Sequence, residues 1–160
     1  MRDMCIVIDI NTFSMVFDET NANHGNFKPI KEWLRRRQGF VVFGGTKYLQ
    51  ELKHNHKHMG IINQLRKAGL AVRIDDGAVD QREALVKQLC TESSCNDHHI
   101  IALLGVSGSY ILSSLDAESY PYIKDRRLYP GGSRKVRIYS SSRNKRLLRR
   151  CVIDEVQNTL

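Results

Sequence analysis

The sequence contains few prolines and cysteines and no long hydrophobic run. Of its 160 residues, three are proline, four are cysteine and 11 are glycine. These counts exclude a collagen-like repeat and a disulfide-knotted domain. No apolar stretch reaches the roughly 20 residues that a membrane-spanning helix needs. The apolar run Cys5–Ile10 is also too short for the core of a signal peptide. We therefore expect a cytoplasmic protein with no membrane partner.

Acidic residues are scarce in the last quarter of the chain. Residues 124–150 contain eleven of the 25 lysines and arginines but only one of the 17 acidic residues, Asp125. The overall charge of +8 therefore combines a slightly acidic body, of net charge −2, with a basic C-terminal segment. Such an asymmetry indicates a polyanionic partner, with nucleic acid favoured over a membrane surface.

Hydrophobic residues make up 41% of the chain, enough for a buried core, and the length predicts one domain over residues 1–160. Short β-rich runs alternate with helical patterns, which is typical of βαβ units with a mainly parallel sheet. The sequence therefore predicts an α/β protein, a three-layer α/β/α sandwich around about five strands. The predicted strands are 6–10, 39–43, 70–74, 110–113 and 136–139.

Acidic side chains follow or interrupt several of these elements. Asp9 lies within the first apolar strand, where an unpaired charge is costly, and Asn11 follows it on the same predicted strand face. Ligands in open parallel sheets bind at the carboxyl ends of the strands. We expect four carboxylates to meet at this edge and to bind Mg²⁺ or Mn²⁺, which prefer hard oxygen ligands. The four are Asp9, Glu51, Asp97 and Asp116.

Three of these acids also fit ordinary structural roles. Asp97 could complement a helix dipole, Asp116 could cap a helix, and Glu51 could be an exposed helix residue. Asp9 is the stronger candidate, because few structural roles suit an acid inside a buried strand.

Three segments resemble the motifs of the PIN-domain nucleases. Ile6-Val7-Ile8-Asp9-Ile10-Asn11 resembles the opening strand of that family, which ends in Asp with Asn or Thr two residues later. Asn96-Asp97-His98-His99-Ile100-Ile101-Ala102-Leu103 resembles its third-acid helix. The segment 110–116 resembles its closing strand, with the hydroxyl residue Ser114 two positions before the last acid. Glu51 matches the second acid, which lies in a helix after the second strand.

The resemblance implies metal-dependent phosphodiester hydrolysis, usually of RNA, by a water molecule that the metal activates. Asp9, Glu51, Asp97 and Asp116 would hold one or two ions, with Asn11 and Ser114 orienting the acids or the water. The chain departs from the family pattern in the long loop 17–28, in the extra acid Glu118, and in the His98-His99 pair after the third acid. For a stand-alone domain, the resemblance also implies a toxin neutralised by an antitoxin protein, and a homodimer.

The basic segment 124–150 is the expected surface for phosphate contacts, and its tyrosines could stack on unpaired bases. A solvated helix face, or a surface that binds an acidic protein, would have the same composition. Two other functions remain open: a nucleic-acid-binding module of the same fold without catalysis, and a DNA-directed nuclease. The predicted nucleic-acid-binding residues are Arg134, Lys135, Arg137, Arg143, Lys145 and Arg146.

Overall fold

The computed structural model describes residues 5–151, so the predicted domain ends at 1 and 160 lie outside the described residues. Five strands form one all-parallel sheet in the order β3-β2-β1-β4-β5, with helices on both faces. The predicted three-layer α/β/α sandwich is therefore confirmed. The strands are β1 (Ile6–Ile8), β2 (Val41–Gly44), β3 (Ala71–Ile74), β4 (Ile111–Ser113) and β5 (Arg137–Tyr139).

The α-helices of residues 5–151 connect these strands, as parallel pairing requires. Short 3-10 helices also occur at Ile10–Thr12, Ala117–Ser119, Arg126–Leu128 and Ser142–Leu147. The α-helices are α1 (Phe13–Phe17), α2 (His24–Arg35), α3 (Thr46–Lys53), α4 (His56–Lys67), α5 (Asp76–Leu89), α6 (His98–Ser107) and α7 (Tyr120–Ile123).

β1 is the central strand, and all three of its residues are completely buried. Its β-branched side chains suit a strand that is covered on both faces. α6 is nearly as buried, from His99 to Leu104, because it packs between α5 and the sheet. This interior position fixes α6, and Asp97 directly before it, against the sheet and α5.

The predicted end of the first strand was wrong. The strand ends at Ile8 rather than at Ile10, because the chain turns into a 3-10 helix directly after Asp9. The helix α2 contains Pro29 in its interior. The buried side chains of Phe27 and Ile30 anchor this helix to the core and offset the hydrogen bond that proline cannot donate.

A glycine pair ends β2 and lets α3 begin at once. Gly44 and Gly45 have φ angles of 146° and 92°, which favour glycine. A Cβ atom at Gly44 would lie 2.5 Å from the carbonyl oxygen of Ile74 on β3. The turn therefore requires glycine, and it directs α3, with Glu51, back over the carboxyl end of the sheet.

Cys5 and Cys151 form a disulfide at the opposite edge of the sheet, with a Cα–Cα distance of 6.1 Å. The pairing connects the residue before β1 to the last described residue, and the sequence did not predict it. Cys90 and Cys95 are free and buried. No helix within residues 5–151 is long and apolar enough to cross a membrane.

Candidate active site

The ends of β1 and β4 place Asp9 beside Ser114. The backbone N–H of Asp9 donates to the carbonyl oxygen of Ser113 at 3.0 Å, which joins the two strands just past their last paired residues. The Ser114 hydroxyl donates to Asp9 Oδ2 at 3.4 Å and accepts from the Asp116 N–H at 3.1 Å. Ser114 therefore orients Asp9 and fixes the backbone of Asp116, as a residue supporting a ligand set should.

Asp97 and Asp116 are two interacting acids of the site. Each precedes a helix, α6 or the 3-10 helix Ala117–Ser119, yet within residues 5–151 neither carboxylate makes a capping hydrogen bond. The alternative role of Asp116 as a hydrogen-bonded cap is therefore not realised, whereas Asp97 does lie at the start of α6, where an acid complements the helix dipole. The Ser119 hydroxyl donates to Asp116 Oδ2 at 2.9 Å and lies 3.4 Å from Asn96 Oδ1. Ser119 thus connects Asp116 to the residue that precedes Asp97.

Glu51 approaches the cluster from α3, where its nearest described partner is His99. The distance from His99 Nε2 to Glu51 Oε2 is 3.3 Å. Burial lowers the pKa of His99, so the ring is neutral at pH 7 and its Nε2–H tautomer donates to the glutamate. His98 has a different role, since its Nε2 contacts the carbonyl oxygen of Cys90 and holds α6 against the end of α5.

The four acids act on one another electrostatically. Burial raises the pKa of Asp9 to about 7, and the charges of Asp97 and Glu51 raise it as well. Burial also raises the pKa of Asp97, and Asp116 raises it further through a hydrogen bond and through its charge. Such a cluster of carboxylates disfavours ionisation unless a cation joins it.

Asn11 was wrongly placed on the strand face of Asp9. Because β1 ends at Ile8, Asn11 lies in the 3-10 helix and its side chain is exposed. Its contribution is a backbone hydrogen bond to Asp9, which lowers the pKa of that acid. The buried residue at this turn is Thr12, whose hydroxyl donates to the Asp9 carbonyl oxygen at 2.9 Å and contacts Ser113 Oγ at 2.9 Å.

Sequence reasoning missed Thr12, Ser119 and His99 as supports of the acids. Thr12 and Ser119 each lie three residues after an acid, Asp9 and Asp116, so one turn of chain brings the hydroxyl back to that residue. This spacing was the available signal for both. For His99, only its nearness to Asp97 in the sequence was visible, and that does not predict a contact with Glu51.

The donor chemistry of the site fits a divalent cation. Among residues 5–151, no three His, Cys, Asp or Glu side chains form a preformed metal centre. Mg²⁺ is usually held by one or two carboxylates and keeps several waters. The adjacent carboxylates of Asp97 and Asp116 supply oxygen donors of this kind, with Asp9 and Glu51 close enough to add charge. All four groups are hard oxygen ligands, which suit Mg²⁺ or Mn²⁺.

The basic residues do not surround this site. Arg137 starts β5 and lies level with Ile111 and Ile6, the first residues of β4 and β1. Arg134 and Lys135 come before it, so all three lie at the amino edge of the sheet, opposite the acids. Arg146 lines a cavity with them, whereas Arg143 and Lys145 are exposed on the 3-10 helix Ser142–Leu147, which follows β5.

Comparison of the chain with protein-family models, with curated proteins and with solved structures gives no match.

The contact between His99 and Glu51 gives a testable prediction. His99→Leu removes the donor to the glutamate, so we expect the Mn²⁺ concentration needed to half-saturate the carboxylate cluster to rise roughly 10- to 100-fold. His99→Gln retains a donor and should recover much of the loss. If the leucine and glutamine variants behave alike in a titration of Mn²⁺ binding, the side chain acts by packing and not by positioning Glu51.

Proposed function

We propose that this chain is a PIN-like, metal-dependent ribonuclease whose site comprises Asp9, Glu51, Asp97 and Asp116. One observation carries the proposal: four acids from distant parts of the sequence influence one another at the carboxyl edge of a parallel sheet. The charges acting on Asp9 come from Asp97 and Glu51, which are both negative. Clustered carboxylates destabilise a fold, so their presence favours a bound cation and a catalytic role.

Each acid has a distinct support in this proposal. Asp97 and Asp116 would hold Mg²⁺ or Mn²⁺, with Asp9 and Glu51 completing the negative site. When bound, the cation supplies the Lewis acidity that activates water and offsets charge on the phosphodiester. Ser114 orients Asp9 through its hydroxyl, and Ser119 holds Asp116. These hydrogen bonds fix the carboxylates before the substrate arrives, which is how a preorganised site lowers a barrier.

The proposal extends to the setting of the protein. A stand-alone domain of this type would act as a toxin in the cytoplasm, be neutralised by an antitoxin protein and form a homodimer. These statements rest on the resemblance to the PIN-domain nucleases.

The test is incubation of the protein with labelled single-stranded RNA and with DNA of the same sequence. We expect cleavage of the RNA in Mn²⁺ and none in EDTA. Cleavage confined to the DNA would instead identify a DNA-directed nuclease. Binding of either strand without cleavage in Mn²⁺ or Mg²⁺ would overturn catalysis in favour of a non-catalytic nucleic-acid-binding module.

A further inference from the structure

The amino edge of the sheet carries a cationic groove beside β5. A cavity of about 320 Å³ lies between the start of β4, the start of β5 and the segment that follows the 3-10 helix Ser142–Leu147. We call this cavity the amino-edge groove. The residues that line it are Tyr110, Arg134, Lys135, Arg137, Arg146, Leu147 and Arg149.

Among residues 5–151, the charged side chains that line this groove are all cationic. They are five in number, and no carboxylate of the described residues is among them. Within residues 5–151, no acidic group forms an ion pair with Lys135, Arg137, Arg146 or Arg149, and all four residues are exposed. Cations left without carboxylate partners keep their charge available for a polyanion.

Hydrogen bonds and a cation–π contact hold the walls of the groove in place. The guanidinium of Arg134 lies over the Tyr110 ring, 3.7 Å from its centroid. The Arg137 N–H donates to the Tyr110 carbonyl oxygen at 2.6 Å. Trp33 Nε1–H donates to the carbonyl oxygen of Arg149 at 3.0 Å, which fixes the third wall against α2. A cluster of cations on a fixed backbone loses less entropy on binding than a mobile tail does.

A second cavity continues the cationic surface away from β5. It has a volume of about 160 Å³, shares Arg134 and Lys135 with the groove, and adds Lys124 and Arg126. No carboxylate lines this second cavity within the described part of the chain. The two cavities together present a row of cations, which suits a chain of phosphates better than one isolated anion.

The groove and the carboxylate site lie on opposite edges of the sheet. Arg137 is level with Ile111, and the backbone of Asp9 comes one residue after the level of Ser113. This separation is three residue steps along the strands, or about 10 Å. Other domains that bind single strands contact about 4 to 16 nucleotides, a length that extends well beyond one cavity. One strand is therefore long enough to contact both edges.

We propose that the amino-edge groove is a second binding site that holds the phosphates of a single-stranded RNA away from the carboxylates. The inference rests on the proposed nuclease function for the identity of the ligand. The groove anchors the flanking nucleotides, and the carboxylate site acts on another part of the same strand. Long substrates therefore bind more tightly than short ones.

The test is the binding of labelled 16-nucleotide and 4-nucleotide RNA in EDTA, measured by fluorescence anisotropy with no turnover. The 16-mer should bind more tightly, and four phosphate contacts give a slope of about −3 for the logarithm of affinity against the logarithm of salt concentration. The variant Arg137→Gln/Arg149→Gln should weaken binding of the 16-mer at least tenfold and make the slope shallower by about 1.4.

A matched control separates the groove from the general charge of this edge. Arg36→Gln/Lys67→Gln removes the same charge from exposed residues before β2 and β3, outside the groove. Its affinity should stay within twofold of wild type, and thermal unfolding should show that both variants are folded. Equal weakening of RNA binding by the two variants would overturn the proposed site, because it would show that the RNA responds to the overall positive charge of the protein.

The remaining outcomes distinguish this inference from the proposed function. Binding of an acidic peptide such as oligoglutamate, with no binding of RNA, would overturn the RNA site and identify a protein-binding surface. RNA binding that depends on the groove, with no cleavage in Mn²⁺, would support the groove as a binding site but overturn the proposed nuclease activity. Cleavage with the same KM in wild type and in Arg137→Gln/Arg149→Gln would support the nuclease activity but overturn the groove as a binding site.

Discussion

Asp97→Asn is expected to reduce metal-dependent RNA cleavage on the order of 10²- to 10³-fold, the loss typical of removing one preorganised electrostatic group. The substitution keeps the size of the side chain but removes a negative oxygen beside Asp116. Asn is also as favourable as Asp at the position before a helix, so α6 should still begin at His98. The measurement is the initial rate on labelled single-stranded RNA at saturating Mn²⁺.

A matched control for this loss is Asp18→Asn. Asp18 is exposed and accepts hydrogen bonds from the backbone N–H and the hydroxyl of Thr20. It is not one of the four acids of the carboxylate site. Its replacement should leave the rate within about twofold of wild type. An Asp97→Asn variant that is folded and as active as wild type would show that catalysis does not depend on this carboxylate.

Asp9→Asn should stabilise the metal-free protein at pH 8, on the order of 2 to 4 kcal/mol. Asp9 is only 8% exposed, and its pKa is raised to about 7 from an ordinary value of 3.8. At pH 8 the wild-type fold must therefore hold an ionised, buried carboxylate among other acids. Asparagine removes that charge and can still accept from the Ser114 hydroxyl. The measurement is thermal or urea unfolding in EDTA.

The direction of the pH dependence follows from the raised pKa of Asp9. Below about pH 4, Asp9 is protonated in both the folded and the unfolded state. Its buried side chain is then neutral, so it does not lower the free energy of unfolding. Between about pH 4 and pH 7, the unfolded state releases the proton first, and the contribution of this group to stability falls as the pH rises. Asp9→Asn should remove this part of the slope. If Asp9→Asn were less stable than wild type at pH 8, this would contradict the conclusion that the buried, ionised carboxylate of Asp9 destabilises the fold.

Added metal should narrow the difference in stability between wild type and Asp9→Asn. A cation that binds only the folded state stabilises it by about 2.7 kcal/mol at 100 times its dissociation constant. Wild type should gain this stabilisation from Mn²⁺ at pH 8, and Asp9→Asn should gain less because it has lost one charge of the site. Equal gains would mean that Mn²⁺ binds elsewhere.

The central strands could be predicted from sequence because they depend on local pattern. The apolar, β-branched run predicts a buried strand over 6–10, and the strand forms over Ile6–Ile8, so that Asp9 follows it instead of lying inside it. The face of Asn11 could not be predicted, since it depends on where the strand stops. A chain that leaves the extended conformation at Asp9 loses the alternation of faces on which the prediction depended.

The placement of the basic residues required the register of the sheet. Charge counting correctly located a basic segment but gave no information about the edge on which Arg134, Lys135 and Arg137 would lie. Only the pairing of Arg137 with Ile111 shows that they lie at the amino ends of the strands. The pairing of Cys5 with Cys151 could not be predicted either. The two residues are 146 positions apart, and only the complete fold brings them together.

The most direct test of the account is a titration of the metal-free protein with Mn²⁺, followed by the loss of the free-ion signal in electron paramagnetic resonance. The account predicts saturable binding to wild type and to Asp18→Asn, and loss of that binding in Asp97→Asn. Absence of binding to wild type, or binding that Asp97→Asn leaves unchanged, would contradict a metal site formed by Asp9, Glu51, Asp97 and Asp116.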